Sequence, residues 1–178
     1  MPINDLKFSY DGVCVYVTTT VKAGITAKII LSFINLVLLG IIIFFTFEHI
    51  VIASIVFSGF ELLVIKYTLW NLFGEERLII NTKSLNYQQH YGFFTTSLHT
   101  INFNKKIIIR PYEEVFEADV KYSKFLFESY DENNLPVVIY HTVLNITEED
   151  FVKLVRQIDQ LFLDEMVTSN EMPAIYLN

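Results

Sequence analysis

The chain has 178 residues, room for one ordinary domain plus an anchor, and 52% of them are hydrophobic, too many for an ordinary soluble domain. Thirteen Lys and Arg stand against 20 Asp and Glu, so the balance argues against a nucleic-acid binder, whose affinity rests on neutralising phosphate. Cys14 is the single cysteine, which excludes an intramolecular disulfide and suits a reducing compartment.

The segment Leu6 to Thr20 alternates in a strand-like way around Asp11-Gly12, a dipeptide that supplies the positive φ angles of a tight turn. Residues 1–24 are therefore expected to form a short β-hairpin that packs on the main domain or at a membrane interface. The apolar excess follows it. From Ile29 to Phe47, 19 residues pass without a formal charge, and from Ile50 to Leu69 only Glu61 and Lys66 interrupt. About 20 helical residues cross ~30 Å of hydrocarbon, so residues 25–72 are expected to form a transmembrane helical hairpin, with helices over about 26–47 and 50–71. A cleaved signal peptide does not fit, because its apolar region is ~7–15 residues long and close to the N-terminus. A buried hairpin of a soluble protein does not fit either. The residues that follow could not cover two helices that are apolar on every face.

Lys7, Lys22 and Lys28 precede the first helix, and Arg77 and Lys83 follow the second, whereas the connecting turn offers only Glu48 and His49. The excess of positive charge outside the hairpin predicts that both termini are cytoplasmic.

From Glu75 the pattern becomes alternating. Strands are predicted at Arg77–Thr82, Leu85–Tyr91, Phe93–Phe103, Lys106–Pro111, Lys124–Tyr130 and Pro136–Thr142, with Tyr112 to Val120 read as an acidic loop. The last element is an amphipathic helix: Thr147 caps it, Asp150 stands at the reciprocal capping position, and Phe151, Leu154, Val155, Ile158, Leu161 and Phe162 share one face. It should close one side of a sheet or one mouth of a barrel. These elements define a β domain over 75–166 and a polar tail over 167–178.

Six or seven antiparallel strands followed by one amphipathic helix give the outline of a pleckstrin-homology-like domain. The run Trp70-Asn71-Leu72-Phe73-Gly74-Glu75-Glu76-Arg77-Leu78-Ile79-Ile80 resembles the junction of bacterial PH-like integral membrane proteins, where a two-helix anchor enters the first strand. Phe125–Tyr130 and Asn145–Asp150 resemble that family's penultimate strand and helix entry. The resemblance covers roughly Ile25 to Phe162 and implies an α+β PH-like fold in a bacterial inner membrane. It implies no reaction.

Glu61 is the most unusual residue of the anchor, since an ionisable group near the bilayer centre costs at least ~2.5 kcal/mol and is a functional candidate by default. Counted from the turn, Asn35 and Glu61 reach nearly equal depth, which predicts a polar contact between them across the hairpin. Contact of Glu61 with a partner subunit, or a part in proton or ion movement, are the alternatives. Lys66 is placed to snorkel towards the headgroups, with Tyr67 and Trp70 marking the interface. Gly40 and Ser58-Gly59 are small enough for close helix approach, without a repeated small-residue pattern.

The segment 75–178 carries nine Lys/Arg against sixteen Asp/Glu, a surface that anionic lipid repels on average. Lys105, Lys106 and Arg110 form its single basic cluster, a candidate anion contact whose plainer reading is a solvated turn and strand end. His90, His99 and His141 lack partners at metal-ligand spacing, and no nucleophile elbow or glycine-rich phosphate loop is present, so neither catalysis, metal nor cofactor is expected. The expected partners are membrane lipid and other membrane-protein subunits, with no nucleic acid. These features predict a non-catalytic accessory or scaffold subunit of a bacterial inner-membrane complex. Two alternatives stand beside it: a cyclic-nucleotide-gated membrane-disrupting effector and a lipid sensor.

Overall fold

The computed structural model describes residues 5–117 and 120–169. A first hairpin, β1 (Asp5–Tyr10) and β2 (Val15–Thr20), turns at Gly12, whose φ of 91° is open to glycine. The Asp11 carboxylate holds that turn by accepting from the backbone N–H groups of Val13 (2.9 Å) and Cys14 (2.7 Å), and the Cys14 bond above all keeps its pKa below the usual carboxylate range.

Two helices follow, α1 (Ile25–Phe47) and α2 (Val51–Phe73), each long and apolar enough to cross a membrane. Leu38 in α1, and Glu61 and Thr68 in α2, are their only fully buried residues. Core helices of a soluble domain would bury a broad face. These two meet along a narrow seam and leave most of their remaining side chains half-buried or exposed.

β3 (Gly74–Ile80) begins at the residue after α2, with no linker between helix and strand. It is followed by β4 (Ser84–Tyr91), β5 (His99–Asn102), β6 (Ile108–Glu117), β7 (Val120–Tyr130), β8 (Pro136–His141), the two-residue β9 (Ile146–Thr147) and α3 (Glu148–Ser169). The strands form two antiparallel sheets, one in the order β1-β2-β3-β4-β5, the other β6-β7-β8 with β9 added to β7.

Period-2 alternation sends Val15, Val17, Leu78, Ile80, Phe125 and Phe127 into one core, each 2% exposed or less. Leu154, Ile158 and Leu161 of α3, spaced for one helical face, close that core. Burying side chains of this size fully contributes about 1.5–3 kcal/mol each. The Thr147 hydroxyl accepts from the Asp150 N–H at 3.2 Å, the cap expected from the sequence.

Four expectations change. The N-terminal hairpin does not pack on the domain as a separate unit: β2 pairs with β3 along its whole length, from Val15↔Ile80 to Thr20↔Glu75, so it is part of the first sheet. Of the stretch expected to be an acidic loop, Tyr112–Glu117 instead continues β6 and Val120 begins β7, its antiparallel partner. There Glu113 and Glu114 meet Lys124 and Lys121 across the ladder at 2.6 and 2.8 Å, and charge that reads as loop-forming is neutralised between strands. The strand predicted at Phe93–Phe103 shrinks to His99–Asn102. His90 bridges Thr95 while Tyr87 pairs with His99, so two residues of β4 face three on the returning chain, and this β-bulge interrupts the strand. α3 runs on to Ser169, into the region expected to be tail, and residues 170–178 of that tail lie outside the described residues.

Candidate functional site

The seam between α1 and α2 repeats every three to four residues. In α2 it runs through Ser54, Phe57, Glu61, Val64 and Thr68, and its register is fixed by three contacts. The Thr46 and Ser54 hydroxyls lie 2.8 Å apart, the Phe45 and Phe57 rings stack at 5.4 Å, and Asn35 Nδ2 donates to Thr68 Oγ1 at 2.7 Å. The expected contact between Asn35 and Glu61 does not form. Asn35 reaches Thr68, two turns beyond Glu61, because the helices are offset along each other relative to a count made outward from the turn. On the same register Glu61 falls opposite Ile41 and Ile42, where nothing can donate to it. Its side chain is 7% exposed, and its Oε2 finds no hydrogen-bond partner among the described residues, nor does Asn35 Oδ1. Gly40 and Gly59 have open space where a Cβ would stand, so they do not set the helix approach.

The outer end of α2 is locked to the first sheet. A Cβ at Gly74 would lie 2.2 Å from the Trp70 carbonyl oxygen and 2.8 Å from the Trp70 ring, so only glycine lets the chain leave the helix directly as a strand. Gly74 pairs with Tyr91, whose ring lies 5.2 Å from that of Trp70, and Lys66 Nζ stands 5.8 Å from the centre of the Tyr91 ring. Lys66, Tyr67 and Trp70, the expected interface anchors, thus line one side of a groove of about 280 Å³ whose other side is Gln89, Tyr91 and Val143. At the helix entrance, the Val21 N–H donates to the Gly74 carbonyl at 2.8 Å, tying the segment before α1 to the residue after α2.

Two residues further along β3, Glu76 is 1% exposed. It accepts from the Tyr140 hydroxyl at 2.5 Å, from the Val143 N–H at 2.9 Å and from the Leu144 N–H at 3.2 Å. Burial pushes its pKa above the usual carboxylate range, and these hydrogen bonds oppose the shift in part. The Tyr140 hydroxyl is itself held protonated by burial and by the neighbouring carboxylate. Glu76 therefore joins the two sheets directly beneath the helix junction. Sequence reasoning passed over it. The signal was its phase, since Gly74, Glu76, Leu78 and Ile80 share the inward face of an alternating strand.

The basic cluster is dispersed over separate acceptors. Lys105 Nζ donates to the Asp131 carbonyl and to Asn134 Oδ1 (2.7 and 2.6 Å), Lys106 pairs with Asp159 at 2.8 Å, and Arg110 pairs with Glu128 at 3.0 Å. The cavity beside Lys105, about 320 Å³, is also lined by Asp131 and Glu132, an unfavourable setting for a phosphate. His90 contacts Thr95, His99 contacts Ser97 and stacks on Tyr87, and His141 lies beside Tyr112. Among the described residues no three His, Cys, Asp or Glu side chains are grouped to hold a metal ion.

No protein family, curated protein or solved structure matches this chain.

Proposed function

We propose that this protein is a non-catalytic accessory or scaffold subunit of a bacterial inner-membrane complex, with a PH-like domain held on the cytoplasmic face by the α1–α2 hairpin. The observation that carries the reading is the incomplete seam. Hydrocarbon offers no hydrogen-bond partner, and an unsatisfied polar group there costs several kcal/mol, yet the helix pair leaves Glu61 Oε2 and Asn35 Oδ1 unsatisfied. A donor from another helix, met after rotation of the Glu61 side chain, completes the seam. The broad apolar outer faces of both helices are free to receive such a helix.

Two further features support the reading. The arrangement of five strands packed with four and closed by α3 is compatible with a PH-like domain. The absence of a gap between α2 and β3 fixes the orientation of that domain on its anchor, as suits a docking platform.

Purification of the full chain in mild detergent from its own host tests the proposal. The parent should co-purify with one or more membrane subunits in fixed ratio, and Glu61→Leu should remain inserted but lose them. A parent that runs as a lone monomer, or a Glu61→Leu variant that retains the same partners at the same level, would overturn the assignment.

A further inference from the structure

The first sheet carries a feature that the anchor and docking roles leave unused. From Ser84 to Asn104 the chain has no Asp, Glu, Lys or Arg, although the surrounding domain is strongly acidic. This charge-free stretch is the β4–β5 arm, and its tip is a two-residue turn. The Tyr91 N–H donates to the Phe94 carbonyl at 2.8 Å, Gly92 has φ 81°, and Phe93 stands at the apex. Phe93 is 81% exposed, Phe94 43% and Leu98 51%. Three large apolar side chains within six residues would be an aggregation liability on a water-facing turn.

Their position accounts for them. A Cβ on Gly92 would lie 2.7 Å from the Phe73 Cβ, the Phe93 ring lies 5.7 Å from that of Phe73, and Phe94 stacks at 4.7 Å on the Tyr91 ring that covers Trp70. The turn is thus level with the last turn of α2. That helix has 23 residues, about 34 Å at 1.5 Å per residue, against ~30 Å of hydrocarbon, so its last turn reaches the headgroup boundary. Part of the arm's backbone is already paired, through Thr96 N–H to the Gln89 carbonyl at 2.8 Å and the Tyr91–Phe94 bond, which lessens the backbone polarity to be stranded on insertion.

We infer that the turn around Gly92–Leu98 is a third membrane contact, with Phe93 and Phe94 seated among the headgroups and upper acyl chains of the bilayer that holds the hairpin. This rests on the reading of α1 and α2 as membrane-spanning. The occupant is lipid rather than protein because the patch is continuous with the lipid-exposed end of α2. Its small aromatic and hydroxyl composition, Gly-Phe-Phe-Thr-Thr-Ser-Leu, also suits an interface that is apolar below and wet above.

Trp70 is the only tryptophan, so single-tryptophan variants of the full chain report depth in vesicles of phosphatidylcholine. In a Trp70→Phe background, Phe93→Trp should emit to the blue of free tryptophan. Lipids brominated near the headgroup should quench it by about half, as expected for a ring lying ~5–10 Å into the boundary, and lipids brominated deep in the chains should quench it less. Leu62→Trp, on the outer face of α2, is the control, quenched most by the deep bromines. If Leu62→Trp is quenched while Phe93→Trp is insensitive to brominated lipid and open to aqueous iodide, the membrane contact of the turn is refuted and the hairpin stands. If neither responds to brominated lipid, the membrane reading itself falls and the inference with it. Circular dichroism of each variant, matched to the parent, shows that the fold is intact.

Discussion

Glu76 and Gly74 show how much of this fold hangs on single atoms near the junction. Glu76→Gln replaces one carboxylate oxygen by an NH2 group, which then meets the Val143 or Leu144 N–H where an acceptor is needed. One buried donor is left unpaired, and a loss of about 1–3 kcal/mol is expected in urea or thermal melts of the detergent-solubilised chain. The acidity of Glu76 also sets a pH dependence. Because burial raises its folded value above the unfolded one, the folded state binds the proton more tightly. The stabilising term is fully present below the ordinary glutamate value and fades as pH rises through the raised folded value. Parent stability should therefore decline across that window, and the Glu76→Gln profile should be flatter there. Gly74→Ala acts by crowding rather than polarity: its methyl group collides with the Trp70 carbonyl and ring, and overpacking of this sort costs about 1–3 kcal/mol. The same melts test it, and the emission of Trp70 should shift as its ring is displaced.

At the scale of elements, the N-terminal hairpin is the piece whose role differs most from its sequence appearance. β2 supplies Val15 and Val17 to the core at 0% and 1% exposure and pairs with six residues of β3, and the Tyr10 hydroxyl donates to Asp164 of α3 at 2.6 Å. Deleting residues 1–20 should therefore abolish the cooperative melt of the whole β domain, whereas removal of an appended hairpin would leave it nearly unchanged. Protease resistance of the truncated chain distinguishes the two outcomes. The helices were legible because uncharged runs of that length have few other solutions, and α3 was legible from its cap and its apolar face. The pairing of β2 with β3 was not, because it joins residues separated by both helices, and local alternation carries no information about such a partner. The acidic end of β6–β7 was hidden for a related reason. Glu113 and Glu114 read as loop until the lysines that neutralise them are known to lie across the ladder. At the site, the place of Lys66, Tyr67 and Trp70 near a helix end was legible, but the groove they share with Gln89, Tyr91 and Val143 was not, because those residues come from other elements of the chain. The Asn35–Thr68 bond did not, since a turn of three residues and a shift along the seam move the register further than counting can resolve.

For the whole molecule, the paired strands place the chain that enters α1 and the chain that leaves α2 at the same end of the helix pair. The β domain then grows from both helix bases at once rather than from one tether. With the Trp70–Tyr91 contact and the Phe93 turn added, the domain has little freedom to swing relative to its anchor. A β domain held in this way keeps a set height and azimuth relative to the two helices.

The Val21–Gly74 hydrogen bond has a mechanical meaning of its own. It is the rung of the β2–β3 ladder nearest the helices, and the two strands leave it side by side. A force that spread the helix bases would not meet the ladder's bonds in parallel. It would load this rung first and then the next, unzipping the first sheet from its helix-proximal end towards Val15 and Ile80. The inward carboxylate of Glu76 lies one residue beyond the first paired position of that path, so splaying of the helices would release the tie between the two sheets before it reached the apolar core.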